Sequence, residues 1–441
     1  MSWGPQAVPA PPTSAAAYGD APTLPRQLTQ PEPMRAAYLA LVVFLAVFCA
    51  RPEDWIPGLS LLHLDRIAGG LAVAATGMGV VFGRREALRL PASLKFLVLL
   101  LAQLLLAAVF STVWAGGAVN LVVNQFSKAV MIAVVIFWAA SAFERIRTLL
   151  FLQAASVTLI GVVTIWKGRL LQGRLDGVLG GMYANPNDLA LSLAVVIPLC
   201  FAFLLLSKSR LRKLVWGAVI VTMIYAVTLT YSRGGLLCVL TAVGLCVWQF
   251  GVRGGRRWLP VTAALAFMVL LAVAGPSGYG QRIATIFNPA SDPTGSAQQR
   301  LALQYRSVAV TFDHPLLGVG PGNFEVLSGN WHVNHDAFMQ MASEGGLPAL
   351  LLFTLILWRA FVDLRAAAKA EREEVRIFAG ALRASLAAFV VGACFASVAY
   401  LFMPYVLVGY SCALKRIGRQ EDAPPQRLPA AQGLREFPCA G

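Results

Sequence analysis

The sequence predicts an all-α, polytopic membrane protein with about 12 transmembrane helices and a large, partly helical loop on one side of the membrane. Hydrophobic residues make up 58% of the 441 residues and charged residues only 13%, which departs from the balance of soluble globular domains. Apolar runs of about 17–25 residues, long enough to cross a bilayer as a helix, recur through the chain. Because unpaired strand edges cannot be satisfied in lipid, we expect the spans to be helical.

The predicted spans form a transmembrane domain, residues 35–415, between two tails. Residues 1–34 and 416–441 lack long apolar runs and are predicted to be disordered cytoplasmic tails, the first without the pattern of a cleavable signal peptide. The predicted spans centre on residues 40–49, 68–81, 96–113, 129–140, 149–166, 189–206, 214–230, 236–250, 259–274, 349–362, 378–397 and 398–412.

The distribution of lysine and arginine predicts the orientation of the spans. Alternate loops carry the basic residues, and the positive-inside rule places such loops in the cytoplasm. The formal net charge of +15 is therefore a topology signal, and no nucleic-acid partner is expected. The polar stretch of residues 275–345 would lie on the outer side. The basic loops contain Arg84, Arg85, Arg89, Arg145, Arg147, Lys208, Arg210, Arg212, Lys213, Arg253, Arg256, Arg257, Arg365, Lys369, Arg372, Arg376, Lys415, Arg416 and Arg419.

Motifs for cofactor chemistry are missing from the sequence. The seven cysteines fall in predicted spans or in the C-terminal tail, so we expect no disulfide on the outer side. There is no CxxC pair, no HExxH and no P-loop. We therefore expect neither a metal nor a nucleotide cofactor.

Basic residues on the predicted outer side suggest an anion-binding surface. A charge near the apolar zone costs free energy and so usually has a partner or a function. A phosphorylated lipid would suit this surface, although each cation could instead anchor the protein at the headgroup level. These residues are Arg51, Arg66, Lys167, Arg169, Arg174, Arg233, Arg282, Arg300 and Arg306.

Arg233 is the best placed of these cations for binding phosphate. It lies in residues 230–235, Thr-Tyr-Ser-Arg-Gly-Gly, a very short turn between two predicted spans. We expect Gly234 and Gly235 to let the backbone reverse and let neighbouring segments approach closely. A guanidinium fixed there suits bidentate contact with phosphate oxygens, whereas the alternative is a snorkelling arginine.

The outer loop contains a predicted amphipathic helix. Residues 296–299, Ser-Ala-Gln-Gln, form a capping box that would begin it. An ordinary surface helix is the alternative to one lying at the membrane interface. The apolar stripe is Leu301, Tyr305, Val308 and Phe312, and the neighbouring face is Arg300, Gln304, Ser307 and Thr311.

His335 is the candidate general base of the same loop. We expect Asn334 to be an N-cap, a short helix to begin at His335, and Gly345-Gly346 to end it. The positive end of that helix would disfavour imidazolium, and a neutral imidazole can accept a proton from a hydroxyl. A metal bound by His332 and His335 would have no obvious third ligand.

Five segments resemble, in sequence and order, the O-antigen ligase/polymerase superfamily. The resemblance covers about residues 160–400. The segments are residues 183–190 (Tyr-Ala-Asn-Pro-Asn-Asp-Leu-Ala), 231–235 (Tyr-Ser-Arg-Gly-Gly), 296–300, 315–324 and the stretch from His335-Asp336-x-Phe338 to Glu344-Gly345-Gly346-Leu347.

The resemblance implies a membrane glycosyltransferase of the GT-C type in the bacterial inner membrane. Such an enzyme transfers a glycan from an undecaprenyl-diphosphate carrier on the periplasmic face, without an essential metal. By position, Arg233 and Arg300 would bind the diphosphate and stabilise the leaving group, and His335 would activate the acceptor hydroxyl. Asp336 stands where Asn is common in the family, and an acidic neighbour would raise the pKa of His335. Further candidate substrate-binding residues are Arg306, Arg174, Arg169, Tyr231 and Asn187.

Several functions are compatible with these residues. The acceptor is lipid A-core in a ligase, another lipid-linked glycan in a polymerase, and a protein in an O-oligosaccharyltransferase; the ligase is favoured. A secondary transporter is an alternative of a different class, but its charged residues would lie near the midplane of the membrane. A metal-dependent oligosaccharyltransferase using Glu53 and Asp54 is less favoured, because Arg51 and Pro52 beside them suggest a structural turn.

Overall fold

Long apolar helices make up nearly all of the structure. The computed structural model describes residues 34–56, 58–81, 90–171, 174–176, 183, 185–274, 296–329 and 331–422. Outside the described residues lie the predicted N-terminal tail up to residue 33 and four arginines, Arg84, Arg85, Arg89 and Arg282. The side chains of Arg169 and Ser296 are not described either.

In the first half of the chain the described residues form eight α-helices, a 3₁₀ helix at Leu59–Leu62 and one small hairpin. A π-helical turn, Val122–Phe126, joins α5 to α6, and β1 pairs antiparallel with β2 through Arg169 and Asp176. The elements are α1 Arg35–Ala50, α2 Pro52–Trp55, α3 Leu64–Val81, α4 Ala92–Val109, α5 Ala115–Leu121, α6 Ser127–Ala139, α7 Phe143–Lys167, β1 Arg169–Leu171, β2 Arg174–Asp176 and α8 Pro186–Leu206.

The second half is helical in all its described elements. A π-helical turn, Val247–Val252, continues α10. The elements are α9 Arg210–Leu229, α10 Arg233–Cys246, α11 Trp258–Ala274, α12 Ser296–Asp313, α13 Phe324–Leu327, α14 Ala337–Ala367, α15 Glu373–Ala393 and α16 Phe402–Glu421.

The structure confirms the predicted all-α, polytopic class. Among the described residues, ten helical segments are long and apolar enough to cross a membrane. The two further predicted spans correspond to α11 and α16. The first has 17 residues and ends where the description stops, and the second carries Lys415, Arg416 and Arg419 near its end. A count of twelve therefore stays a prediction.

Helix α8 lies at the centre of the bundle. Residues 189–203 are all buried, as expected for a helix that is apolar on every face. It packs against α7, α9, α10 and α15. At its start, the Asn185 side chain accepts a hydrogen bond from the Asn187 amide (2.8 Å), and Pro186 follows as the first helical residue. We call the end of the bundle at which α8, α10 and α14 begin the site end.

Charged contacts hold the opposite end of the bundle together. Lys415 of α16 donates to Asp363 of α14 (2.5 Å). Arg372 donates to Glu374 (2.6 Å), Glu144 (3.0 Å) and Glu421 (3.0 Å), and these carboxylates raise the pKa of Arg372. Because of these contacts α16 continues to Glu421, so the predicted start of the disordered tail at residue 416 is too early.

Candidate active site

The turn between α9 and α10 sets the position of Arg233. Tyr231 reverses the chain with a left-handed backbone (φ 50°). The Ser232 hydroxyl then accepts a hydrogen bond from the Gly235 amide (3.1 Å) and caps α10, so Arg233 is the first helical residue. The predicted chain reversal at Gly234 and Gly235 is therefore wrong, because both glycines already belong to the helix.

The two glycines allow neighbouring elements to approach α10 closely. A Cβ atom at Gly235 would lie 2.5 Å from the Cβ of Ala190 on α8. A Cβ atom at Gly234 would lie 3.1 Å from the Cβ of Phe395, in the connection after α15. The predicted close approach is confirmed, because α8 and α10 can pack at this distance only without a side chain at residue 235.

The start of α8 holds the Arg233 turn from the other side. The Asn187 side-chain oxygen accepts hydrogen bonds from the Ser232 hydroxyl (2.8 Å) and from Nη2 of Arg174 (3.1 Å). Nε of Arg174 also donates to the Thr230 carbonyl (3.0 Å). Two of the predicted substrate-binding residues, Asn187 and Arg174, therefore contact the turn that positions Arg233.

A small cavity brings Arg300 to the same place. Its lining includes Asn187 of α8, Ser232 and Gly234 of the turn, and Arg300 of α12. These residues come from three separate segments of the chain. The structure thus places the two arginines that the sequence singles out beside one cavity, Arg300 in its lining and Arg233 between two lining residues.

Helix α12 turns its polar face toward the rest of the protein. Ser307 is fully buried; its hydroxyl donates to the Met339 carbonyl (3.2 Å) and accepts from Nδ2 of Asn334 (2.7 Å). On the opposite face, Tyr305 is 70% and Phe312 74% exposed. The structure confirms the predicted amphipathic helix, and its place at a membrane interface stays a prediction.

The start of α14 differs from the predicted one. Asp336 is the N-cap, since its carboxylate accepts from the amides of Phe338 (2.8 Å) and Met339 (3.1 Å), and the helix begins at Ala337. Asn334 is instead buried, and its carbonyl accepts a hydrogen bond from the Ser397 hydroxyl. The prediction of Asn334 as the cap and His335 as the first helical residue is therefore wrong by two residues.

The imidazole of His335 is neutral at ordinary pH, but for a different reason than predicted. Burial, and after it the charges of Arg300 and His332, together lower the pKa of His335 to about 4. The Asp336 carboxylate is engaged with the helix amides, and its own pKa is raised by burial. Asp336 therefore does not raise the pKa of His335, in contrast to the expectation from the sequence.

Glu344 is a structural residue of this region that the sequence reasoning missed. It is buried, and its Oε2 accepts hydrogen bonds from the Tyr400 hydroxyl (2.7 Å) and from the Gly322 amide (2.9 Å). The backbone of α14 breaks just after it, at Gly346 (φ 79°), as the predicted glycine stop requires. A carboxylate at the start of an apolar span is the sequence signal that points to this network.

A known protein family matches the part of the chain that holds the three predicted catalytic residues. Residues 218–354 match the model of a family described as O-antigen ligase. This match supports the resemblance to the O-antigen ligase/polymerase superfamily over residues 218–354. The matched region contains Arg233, Arg300 and His335, together with the turn between α9 and α10. No curated protein matched the chain.

The remaining predicted site residues of the matched region do not line the small cavity. Nε of Arg306 donates to the Leu327 carbonyl (3.1 Å), and Arg306 does not line the small cavity. Tyr231 forms the left-handed corner of the turn. Outside that region, Arg169 contributes its backbone to the β1–β2 hairpin. Within the described part of the chain, no group of three or more His, Cys, Asp or Glu side chains is placed to hold a metal ion.

Proposed function

We propose that this protein transfers a glycan from an undecaprenyl-diphosphate carrier to an acceptor hydroxyl at the site end of the bundle, on the periplasmic face of the inner membrane. The family match supports a membrane glycosyltransferase of the ligase or polymerase type. The observation that carries the finer proposal is the small cavity, which joins Arg300 to the turn of Arg233.

Arg233 and Arg300 would bind the diphosphate. Each guanidinium can donate two parallel hydrogen bonds to phosphate oxygens, and charge builds up on those oxygens as the bond to the sugar breaks. The hydrogen bonds of Asn187 with Ser232 and with Arg174 fix the turn before the substrate arrives. A preorganised donor gains more from the developing charge than a mobile one, because it does not have to reorganise during the reaction.

His335 would accept the proton of the acceptor hydroxyl. The hydroxyl oxygen then attacks the anomeric carbon, the bond from that carbon to the diphosphate oxygen breaks, and the diphosphate leaves with inversion at carbon. The pKa of His335 near 4 describes the protein without substrate. A bound diphosphate would offset the charge of Arg300, which raises the pKa of His335 and makes it a stronger base.

The first test removes each arginine and measures transfer by purified protein in lipid. We expect Arg233→Ala and Arg300→Ala each to lower turnover by about 10²–10³-fold, as for the loss of one charge-stabilising donor. Arg300→Lys should recover only part of the loss, because lysine keeps the charge but not the bidentate geometry. Arg306→Ala is the matched control on the same helix, and we expect it to transfer at a rate near that of the wild type. Equal losses in the Arg306 and Arg300 variants would contradict the proposed site.

A second test identifies the acceptor. The ligase hypothesis predicts product only when lipid A-core is supplied with the lipid-linked glycan. Longer lipid-linked chains without lipid A-core would identify a polymerase, and glycosylated protein an O-oligosaccharyltransferase. Substrate movement across the membrane without any new glycosidic bond would favour the transporter.

A further inference from the structure

A second, larger cavity opens at the site end of the bundle, between α1, α3, α6 and α16. Its volume is about 740 Å³, within the range of cavities that hold whole small-molecule ligands, roughly 300–1,000 Å³. One wall is aromatic: Phe44, Phe48 and Phe402 pack together with ring centroids 4.3–5.8 Å apart. Such a wall suits hydrocarbon chains.

A polar part of the lining lies deep in a candidate membrane span. Asn124, Gln125 and Lys128 line the cavity from the π-helical turn and the first turn of α6. Lys128 lies about 20 Å along the helix from Ala115, at 1.5 Å per residue, near the middle of the span Ala115–Ala139. A lysine at this depth is costly unless an anion or water meets it.

The charges of the lining favour an anionic ligand. Arg66 and Lys128 make no ion pair with any of the described residues, whereas Arg51 pairs with Asp54. Two carboxylates also line the cavity, Asp65 and Asp188. Each lies in the first turn of its helix, where the positive helix end partly offsets its charge. Two cations therefore face the cavity without a protein counter-ion among the described residues.

We propose that this cavity binds one anionic phospholipid, with its phosphate at Arg66 and Lys128 and its chains along the aromatic wall. Asn124 and Gln125 would bind the headgroup hydroxyls or phosphate oxygens. The site is distinct from the diphosphate site, although the two are neighbours: Asn187 lines the small cavity and the next residue, Asp188, lines the large one. This inference rests on the cavity itself and does not require the proposed transfer.

The test counts lipids bound to purified protein by native mass spectrometry, with phosphatidylglycerol or phosphatidylcholine as the probe. We expect one retained phosphatidylglycerol and weaker retention of phosphatidylcholine. Lys128→Gln should weaken phosphatidylglycerol binding by about tenfold, the scale of one hydrogen bond to a charged group. Lys95→Gln removes the same charge in the first turn of α4, outside the cavity lining, and should leave binding unchanged.

A pair of glycines on α3 provides a second, steric test with a matched control. A Cβ atom at Gly70 or Gly77 meets no atom within 4 Å, so both Gly→Leu variants should fold. Gly70 lines the cavity and Gly77 does not. We expect Gly70→Leu to exclude the lipid and Gly77→Leu to retain it.

Three outcomes would overturn the proposal. They are equal retention of both lipids by the wild type, unchanged binding in the Lys128→Gln and Gly70→Leu variants, and one-for-one displacement of phosphatidylglycerol by undecaprenyl diphosphate. The last outcome would assign the cavity to the donor lipid. Because the readout is bound lipid, its failure is separable from failure of the proposed transfer, which Arg300→Ala tests without changing this cavity.

Discussion

The pH dependence of transfer gives the sharpest test of His335. Its pKa of about 4 lies well below the ordinary value of 6.5, because burial, Arg300 and His332 all disfavour the protonated ring. The base is lost when the ring is protonated, so activity should be constant at neutral pH and fall as the pH drops through the pKa. At pH 5 a group with a pKa of 4 is about 9% protonated, whereas one with a pKa of 6.5 is about 97% protonated.

The assay is steady-state transfer between pH 4 and 8 by purified protein, with size-exclusion profiles at each pH to show that it stays folded. The acid limb of kcat/KM reports the free enzyme and should lie near pH 4. The limb of kcat reports the complex and should lie at higher pH, because bound diphosphate offsets Arg300. A kcat limb at or below the kcat/KM limb would contradict this coupling.

Substitution of the histidine completes the argument. His335→Ala should lower turnover at pH 7 by about 10²–10⁴-fold, the usual contribution of a general base, and should remove the acid limb. His332→Ala is the control; it should keep transfer and raise the pKa of His335, because it removes a nearby positive charge. If His335→Ala keeps both its rate and its acid limb, another group is the base.

Three further predictions concern how the site is built. Gly235→Ala should destabilise the protein by about 1–3 kcal/mol in thermal or denaturant unfolding, because its Cβ atom would overlap that of Ala190. The control is Gly244→Ala on the same helix, whose Cβ atom would meet no atom within 4 Å and which should be neutral or stabilising. Asp336→Asn should leave both stability and the pH profile of transfer unchanged, because asparagine caps a helix equally well; a shifted acid limb would mean that Asp336 does tune the histidine. Glu344→Ala should cost about 1–3 kcal/mol by leaving two buried donors without an acceptor, and unfolding at wild-type stability would show that this network is not structural.

The fold could be predicted from the sequence because a bilayer restricts backbone choice. Apolar runs of sufficient length must be helical in lipid, and the predicted runs centred on residues 189–206 and 214–230 correspond closely to α8 and α9. The ends of the helices were harder to predict from the sequence. The stretch after Lys415 is basic and polar, yet it stays helical to Glu421 because Arg372, distant in sequence, supplies a partner for that carboxylate.

The residues of the proposed site could be selected from the sequence, but their contacts could not be predicted from it. Arg233, Arg300 and His335 were recognisable by residue type and by their order along the chain. The cap of α14 was not, because Asn334 and Asp336 are both good N-caps and only tertiary packing decides between them. The Asn334 side chain donates a hydrogen bond to Ser307 of α12. This tertiary contact outweighs the local preference of Asn334 for an N-cap position.

The contact between Ser307 and Asn334 also ties together two distant segments of the proposed site. Ser307 lies two turns beyond Arg300 on α12, and it bonds to both Asn334 and Met339, on either side of the start of α14. The helix that carries the arginine is therefore tied to the segment that carries the histidine. Asn187 ties α8 to the Arg233 turn in the same way. If geometry limits transfer, Ser307→Ala should lower turnover even though Ser307 itself does not line the small cavity, since misplacing reacting groups by about 1 Å can cost about 100-fold.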